Sequence, residues 1–69
     1  MTIETTIKGV RVGYENYIFA HGKAPRGTGN WAFILDGEAR SYEGTFASAR
    51  ARAVRDALAL GLHNIQVGA

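Results

Sequence analysis

The chain has no cysteine in its 69 residues, no long apolar run and no large excess of either charge. Without cysteine no disulfide can staple so short a chain, and its small core must be supplemented by tight packing or by self-association, so a homodimer is compatible with the sequence. The longest apolar runs, Trp31 to Leu35 and Ala57 to Leu62 with Gly61 inside it, fall far short of the roughly 20 residues that span a bilayer, and no membrane segment is expected. The opening Met1-Thr2-Ile3-Glu4-Thr5-Thr6-Ile7 contains an acid and no apolar stretch of signal-peptide length, so the expected location is the cytoplasm. A net charge of +2 and a pI near 9.4 exclude a strongly acidic nucleic-acid mimic and permit contact with nucleic acid without requiring it.

Apolar residues make up 46% of the chain and charged ones 20%, a composition that folds rather than stays disordered. The length suffices for a single domain, residues 1–69, and leaves no room for a second.

From Thr2 to Val12 the pattern is β-branched and alternating, with Ile3 and Ile7 on one parity and Val10 and Val12 on the other. The phase changes at Gly9, which predicts a β-bulge. Gly13-Tyr14-Glu15-Asn16 reads as a turn and Tyr17 to His21 as a second, antiparallel strand. The stretch Gly22 to Asn30 holds the only proline, Pro25, with Gly27 and Gly29, and reads as a flexible loop. Trp31 to Leu35 reads as a third strand, Asp36-Gly37 as a hairpin turn and Arg40 to Thr45 as a fourth strand. Parity then puts Trp31, Phe33 and Leu35 on one face with Arg40 and Tyr42, and Ala32, Ile34, Ala39 and Ser41 on the other.

Phe46 to Leu60 is rich in Ala, Arg and Leu, follows Thr45 as an N-cap and meets Gly61 as a C-terminal stop, which predicts a helix of about four turns. Leu62 to Val67 reads as a closing strand. The expected fold is α+β: an antiparallel, curled sheet of four to five strands with one helix packed on it, in the order β-β-β-β-α-β.

At 100° per residue, Phe46, Ala47, Ala49, Ala51, Ala53, Val54, Ala57, Leu58 and Leu60 form a broad apolar arc, opposite Ser48, Arg52, Arg55, Asp56 and Ala59. Arg50 points near the centre of the apolar arc. Either its stem is buried while its head snorkels past the sheet edge or pairs with a strand carboxylate such as Glu43, or it forms an anion site with the free N–H groups at the helix start. Arg50 and Arg52 lie in the N-terminal half of the helix and Asp56 toward its C-terminus, the reverse of what the macrodipole favours.

Catalysis needs convergent groups, and none stand out: His21 and His63 are far apart, and no pair of carboxylates or histidines has ligand-like spacing. No enzyme activity, catalytic residue, metal or cofactor is therefore expected. Gly27-Thr28-Gly29 has the look of a phosphate-cradling loop, but no Lys-Ser/Thr follows and a strand stands where the known motifs have a helix. The basic set Lys23, Arg26, Arg40, Arg50, Arg52 and Arg55 is the candidate partner-binding surface. Trp31 and Tyr42 would serve it as stacking platforms only if they were exposed instead of in the core.

Ala49-Arg50, Ala53 and Ala57-Leu58 resemble the Ala-Lys-x-x-Ala-Ala-x-x-Ala-Leu helix that ends double-stranded-RNA-binding domains. That resemblance covers one helix and, loosely, the strands before it, with Phe46 and Ala47 where the family has paired lysines. It implies a small nucleic-acid-binding module. A second resemblance spans more of the chain. The strand with Trp31-Ala32-Phe33, the hairpin, Gly44-Thr45, the Ala-rich helix, Gly61 and the short strand are similar to small phage or prophage proteins, including some anti-CRISPR inhibitors of type I systems. Those proteins bind host complexes stoichiometrically, without catalysis. The resemblance implies a non-enzymatic inhibitor that docks on a protein or nucleoprotein partner.

Overall fold

Two dipeptides, Lys8-Gly9 and Asp36-Gly37, fold the chain back on itself in the computed structural model, which describes residues 3–68. All four have positive φ, 52° and 82° in the first and 53° and 78° in the second. This is the backbone of the two-residue type I′ turn, whose twist matches that of the strands it joins. The first turn connects β1 (Glu4–Ile7) to β2 (Val10–Gly13) and sets Ile7 opposite Val10. The second connects β3 (Thr28–Leu35) to β4 (Glu38–Thr45) and sets Leu35 opposite Glu38. The phase change at Gly9 is thus a chain reversal and not a bulge. Both geometries bring Ile7 and Val10 onto one face, so alternation alone does not separate them. Thr2, with which the expected first strand opened, lies outside the described residues.

The second expected strand is a helix, α1 (Glu15–His21). Its inward positions follow helical spacing: Tyr14 just before it is buried, Tyr17 and Ile18 are half-buried, and Phe19, which would share a face with Tyr17 in a strand, is 95% exposed. Gly22 ends the helix at φ 70°, its N–H donating to the Ile18 carbonyl at 2.7 Å. A helix of 7 residues is marginal alone. Aromatic packing holds this one, with Tyr14 edge-on to Phe46 at 5.7 Å and Tyr17 tilted against Trp31 at 5.5 Å.

Thr45 opens α2 (Phe46–Ala59) as expected: its hydroxyl accepts from the Ser48 N–H at 3.1 Å. At the other end Leu62 N–H reaches the Ala57 carbonyl at 2.8 Å and Gly61 N–H the Leu58 carbonyl at 3.1 Å, with Gly61 at φ 75°. That is a Schellman stop, which requires a residue at ease in the left-handed region. The chain then enters β5 (Asn64–Val67).

The element order is β-β-α-β-β-α-β and the strand order across the sheet β1-β2-β5-β3-β4. The sheet is mixed, because β5 lies parallel to β2 while the other neighbours are antiparallel. This corrects the expected antiparallel sheet with one helix. The crossover through α2 returns the chain to the middle of the sheet, where a strand can pair on both sides, and beside β2 the direction of return makes the pairing parallel. Both inward residues of β5, Ile65 and Val67, are buried as a central strand requires.

The core lies between one sheet face and α2. Val10, Val12, Trp31, Phe33, Leu35, Ile65 and Val67 meet Phe46, Ala49, Ala53, Val54 and Ala57. The Phe46 ring sits 5.0 Å from that of Trp31 and 5.9 Å from that of Phe33. The alanines let α2 approach closely, and each fully buried Val, Leu or Phe side chain contributes about 1.5–3 kcal/mol. The buried arc of α2 is narrower than the sequence suggested: Ala47, Ala51, Leu58 and Leu60 are exposed. Among the described residues no helix is long and apolar enough to cross a membrane.

Candidate functional site

The position of α2 over the sheet decides where its side chains go. It packs chiefly on β4 and β3, with less on β2 and β5, and leaves the β1–β2 hairpin beside it. Positions facing β4 are held by polar contacts. The Tyr42 hydroxyl donates to Asp56 Oδ2 at 2.7 Å, and Arg52 Nη2 donates to the Glu43 carbonyl. Burial raises the Tyr42 pKa above its ordinary value, with the hydrogen bond to Asp56 and its negative charge acting in the same direction, and Arg40 opposing them. Gly44 makes room for this arrangement, since a Cβ there would stand 3.2 Å from Arg52 Nη2 and the backbone has φ 131°.

On the side away from β4, α2 and the hairpin enclose a groove of about 290 Å³ lined by Ile7, Lys8, Ala51, Arg52, Val54, Arg55 and Leu58. Its walls are mostly aliphatic, its rim carries the exposed Lys8 and Arg55, and no carboxylate lines it. Among the described residues the ion pairs are Arg11 with Glu4 at 3.0 Å and Arg40 with Glu38 at 3.4 Å, and neither lies at the groove. Lys8 and Arg55 therefore face solvent with their charge uncompensated.

The structure divides the sequence-derived basic set among separate places. Arg52 and Arg55 come together at the groove, although the Arg52 guanidinium is engaged by Glu43. Arg40 lies half-buried on β4, paired with Glu38 beside Tyr42. Lys23 and Arg26 are exposed in the loop between α1 and β3. Arg26 lines a second cleft, of about 410 Å³, with Tyr17, His21, Asn30 and Trp31 among its walls. There His21 stacks on Tyr17 with ring centres 4.2 Å apart.

Arg50 keeps the direction read from the helical wheel but not the suggested partner. Its Nη1 donates to the Tyr14 hydroxyl at 3.0 Å and its guanidinium lies over the Phe46 ring at 5.7 Å. The Nε atoms of Arg50 and Arg52 are buried without a hydrogen-bond partner. Trp31 is buried and Tyr42 half-buried, so neither is an open stacking platform.

Sequence reasoning missed Lys8. The signal was present in Lys8-Gly9 at the phase change, because a two-residue reversal would have put the lysine at a hairpin tip. His21 and His63 stand toward opposite ends of β5, and among the described residues no group of three His, Cys, Asp or Glu side chains could hold a metal. What the groove can do chemically is bind an anionic group beside an apolar one. No family model, curated protein or solved structure matches the chain.

Proposed function

We propose that the protein is a non-enzymatic binding protein that docks on a protein or nucleoprotein partner through the exposed side of α2 and the adjoining β1–β2 hairpin. The observation that carries this reading is the groove, where aliphatic walls and uncompensated cations stand together on the surface with no carboxylate in the lining. Exposed apolar surface rimmed by charge is the usual make-up of an interaction site. Arg55 presents a free guanidinium there, while Arg50 is bonded to Tyr14 and Arg40 is paired with Glu38.

The finer reading, a phage-type inhibitor of a host CRISPR complex, is supported by the resemblance of the strand, hairpin and helix pattern to such proteins. It is tested by adding the purified protein to a type I interference complex and measuring target-DNA binding. Inhibition that saturates at a fixed stoichiometry supports it, and none at excess protein rejects it. The broader docking reading is tested by immobilising the protein in host lysate and comparing capture with that of a variant carrying Arg52→Ala and Arg55→Ala. Capture retained in full by a folded variant would reject α2 as the docking element.

One observation favours a second reading, a nucleic-acid-binding module: Arg26 shares a cleft with the stacked Tyr17 and His21 rings. A cation beside aromatic surface suits an unstacked nucleotide. Phosphate contacts would make log affinity fall against log salt with a slope of roughly −0.7 per contact on single strands. Absence of binding to single-stranded DNA or RNA at low salt removes this reading.

A further inference from the structure

We propose that the groove between α2 and the β1–β2 hairpin seats a short acidic segment of a partner protein that carries at least one bulky aliphatic side chain. This rests on the docking reading and names what the docking site takes.

Shape and lining supply the first argument. A volume of about 290 Å³ is at the small end of the roughly 300–1,000 Å³ typical of pockets that engulf small molecules, and suits a few side chains of a segment lying across the surface. Ile7 and Val54 contribute aliphatic wall, and Leu58 is 44% exposed at the mouth. A nucleic-acid backbone would leave these groups unused.

Charge supplies the second. Lys8 and Arg55 reach the rim from different elements, one from the hairpin and one from the helix, and among the described residues neither has an acidic partner. Asp56, the acidic residue next to Arg55, is turned to Tyr42 on the β4 side. An aspartate or glutamate on the incoming segment would meet both cations while its apolar neighbour entered the groove.

The third argument comes from Lys8 itself. Both central residues of a type I′ turn need positive φ, for which Asn, Asp and Gly are favoured at the first position. The β3–β4 hairpin meets this demand with Asp36-Gly37, whereas the β1–β2 hairpin holds Lys8 at φ 52°. Turn chemistry does not ask for a lysine there. It places a cation at the rim at some conformational cost, and an aspartate, acceptable to the turn, would have reversed the charge of the site.

A second copy of this chain is a less suitable occupant. Glu4 beside Ile3 pairs with Arg11, Asp56 near Leu58 is bonded to Tyr42 and Asp36 follows a buried Leu35, so what a second copy could still offer is Glu15 on α1 with Ile18 and the exposed Phe19, held on a 7-residue helix and not on an extended segment.

The test pans a random dodecapeptide display library on the immobilised full chain. The expected result is enrichment of peptides that combine Asp or Glu with Leu, Ile, Val or Met. Their affinity should fall about tenfold with Lys8→Glu and Arg55→Glu together, and by a similar factor with Leu58→Glu, while Lys23→Glu with Arg26→Glu leaves it unchanged. Circular dichroism checks that each variant is folded, and Leu58→Ala replaces Leu58→Glu should the latter unfold. No enrichment, enrichment of basic or uncharged peptides, or binding that survives the rim reversals would overturn the proposal. So would a dimer in sedimentation equilibrium that Leu58→Glu dissociates, since the groove would then belong to a second copy. If peptides fail while lysate capture still depends on Arg52 and Arg55, the docking reading stands and only the acidic-segment assignment falls.

Discussion

Arg50 on α2 donates a 3.0 Å hydrogen bond to the hydroxyl of Tyr14, a residue 36 positions earlier in the chain. The bond pins the second turn of the long helix to the start of the short one, and Phe46 packs against both partners. It explains why a guanidinium can point into an apolar arc: the side chain is half-buried, one nitrogen is bonded to a phenol and the central carbon stands over a ring.

Removing either partner should therefore cost stability. Tyr14→Phe is expected to lower the free energy of unfolding by about 1 kcal/mol, and Arg50→Ala by about 1–2 kcal/mol because packing is lost as well. In urea denaturation the double variant should lose less than the sum of the single ones. Loss of partner capture by Arg50→Ala with an unchanged urea midpoint would instead make Arg50 a binding residue.

Lys8→Asn separates stability from binding. Asn-Gly is the favoured type I′ dipeptide, so the variant should be more stable by about 0.5 kcal/mol while losing a rim cation. A raised melting temperature together with weaker binding is the expected pair of outcomes. A drop in stability would show that Lys8 supports the hairpin.

The Tyr42–Asp56 bond carries a pH dependence. The folded-state pKa of Tyr42 lies above its ordinary value of 10.0, mainly because of burial and then because of Asp56. The neutral phenol is thus favoured in the folded protein, and the stability it contributes is fully present below about pH 10 and lost as pH rises through the folded value. Tyr42→Phe should cost about 1 kcal/mol at neutral pH and flatten the alkaline part of a stability profile measured by urea unfolding. An alkaline limb identical in both proteins would contradict this.

Phe19 tests the identity of α1. With 95% of its surface exposed, Phe19→Ser should change stability by no more than about 0.5 kcal/mol. Tyr17→Ala, which strips the ring from Trp31 and His21, should cost about 2 kcal/mol. Comparable losses from both substitutions in thermal unfolding would favour the strand, in which the two side chains share a face.

Tyr17 and Phe19 also mark where the sequence was hardest to read. Five residues from Tyr17 to His21 fit both an alternating strand and a helical turn, and tertiary packing of Tyr14 and Tyr17 on Phe46 and Trp31 decided for the helix. Where a local signal had one physical meaning it was legible: Asp36-Gly37 as a hairpin, Thr45 as a cap, Gly61 as a stop. The parity of Trp31, Phe33 and Leu35 also held. Placement of β5 between β2 and β3 was not legible, because short alternating strands carry no mark of their neighbours. The groove escaped for the same reason, since Lys8 and Arg55 meet only through the tertiary position of α2. Arg55 was readable as an exposed-face cation, whereas Arg52 is half-buried with its guanidinium on the Glu43 carbonyl, and the sequence did not identify Glu38 and Tyr14 as the partners of Arg40 and Arg50.

The docking surface is tested most directly by comparing two doubly substituted proteins that change net charge equally, Lys8→Glu with Arg55→Glu and Lys23→Glu with Arg26→Glu. Partner capture is measured for each against the unaltered chain at matched salt. The groove account predicts that the first pair loses capture by about tenfold or more and the second stays within about threefold of the original. Equal losses would reduce the effect to net charge, and loss confined to the second pair would move the binding site to the loop between α1 and β3.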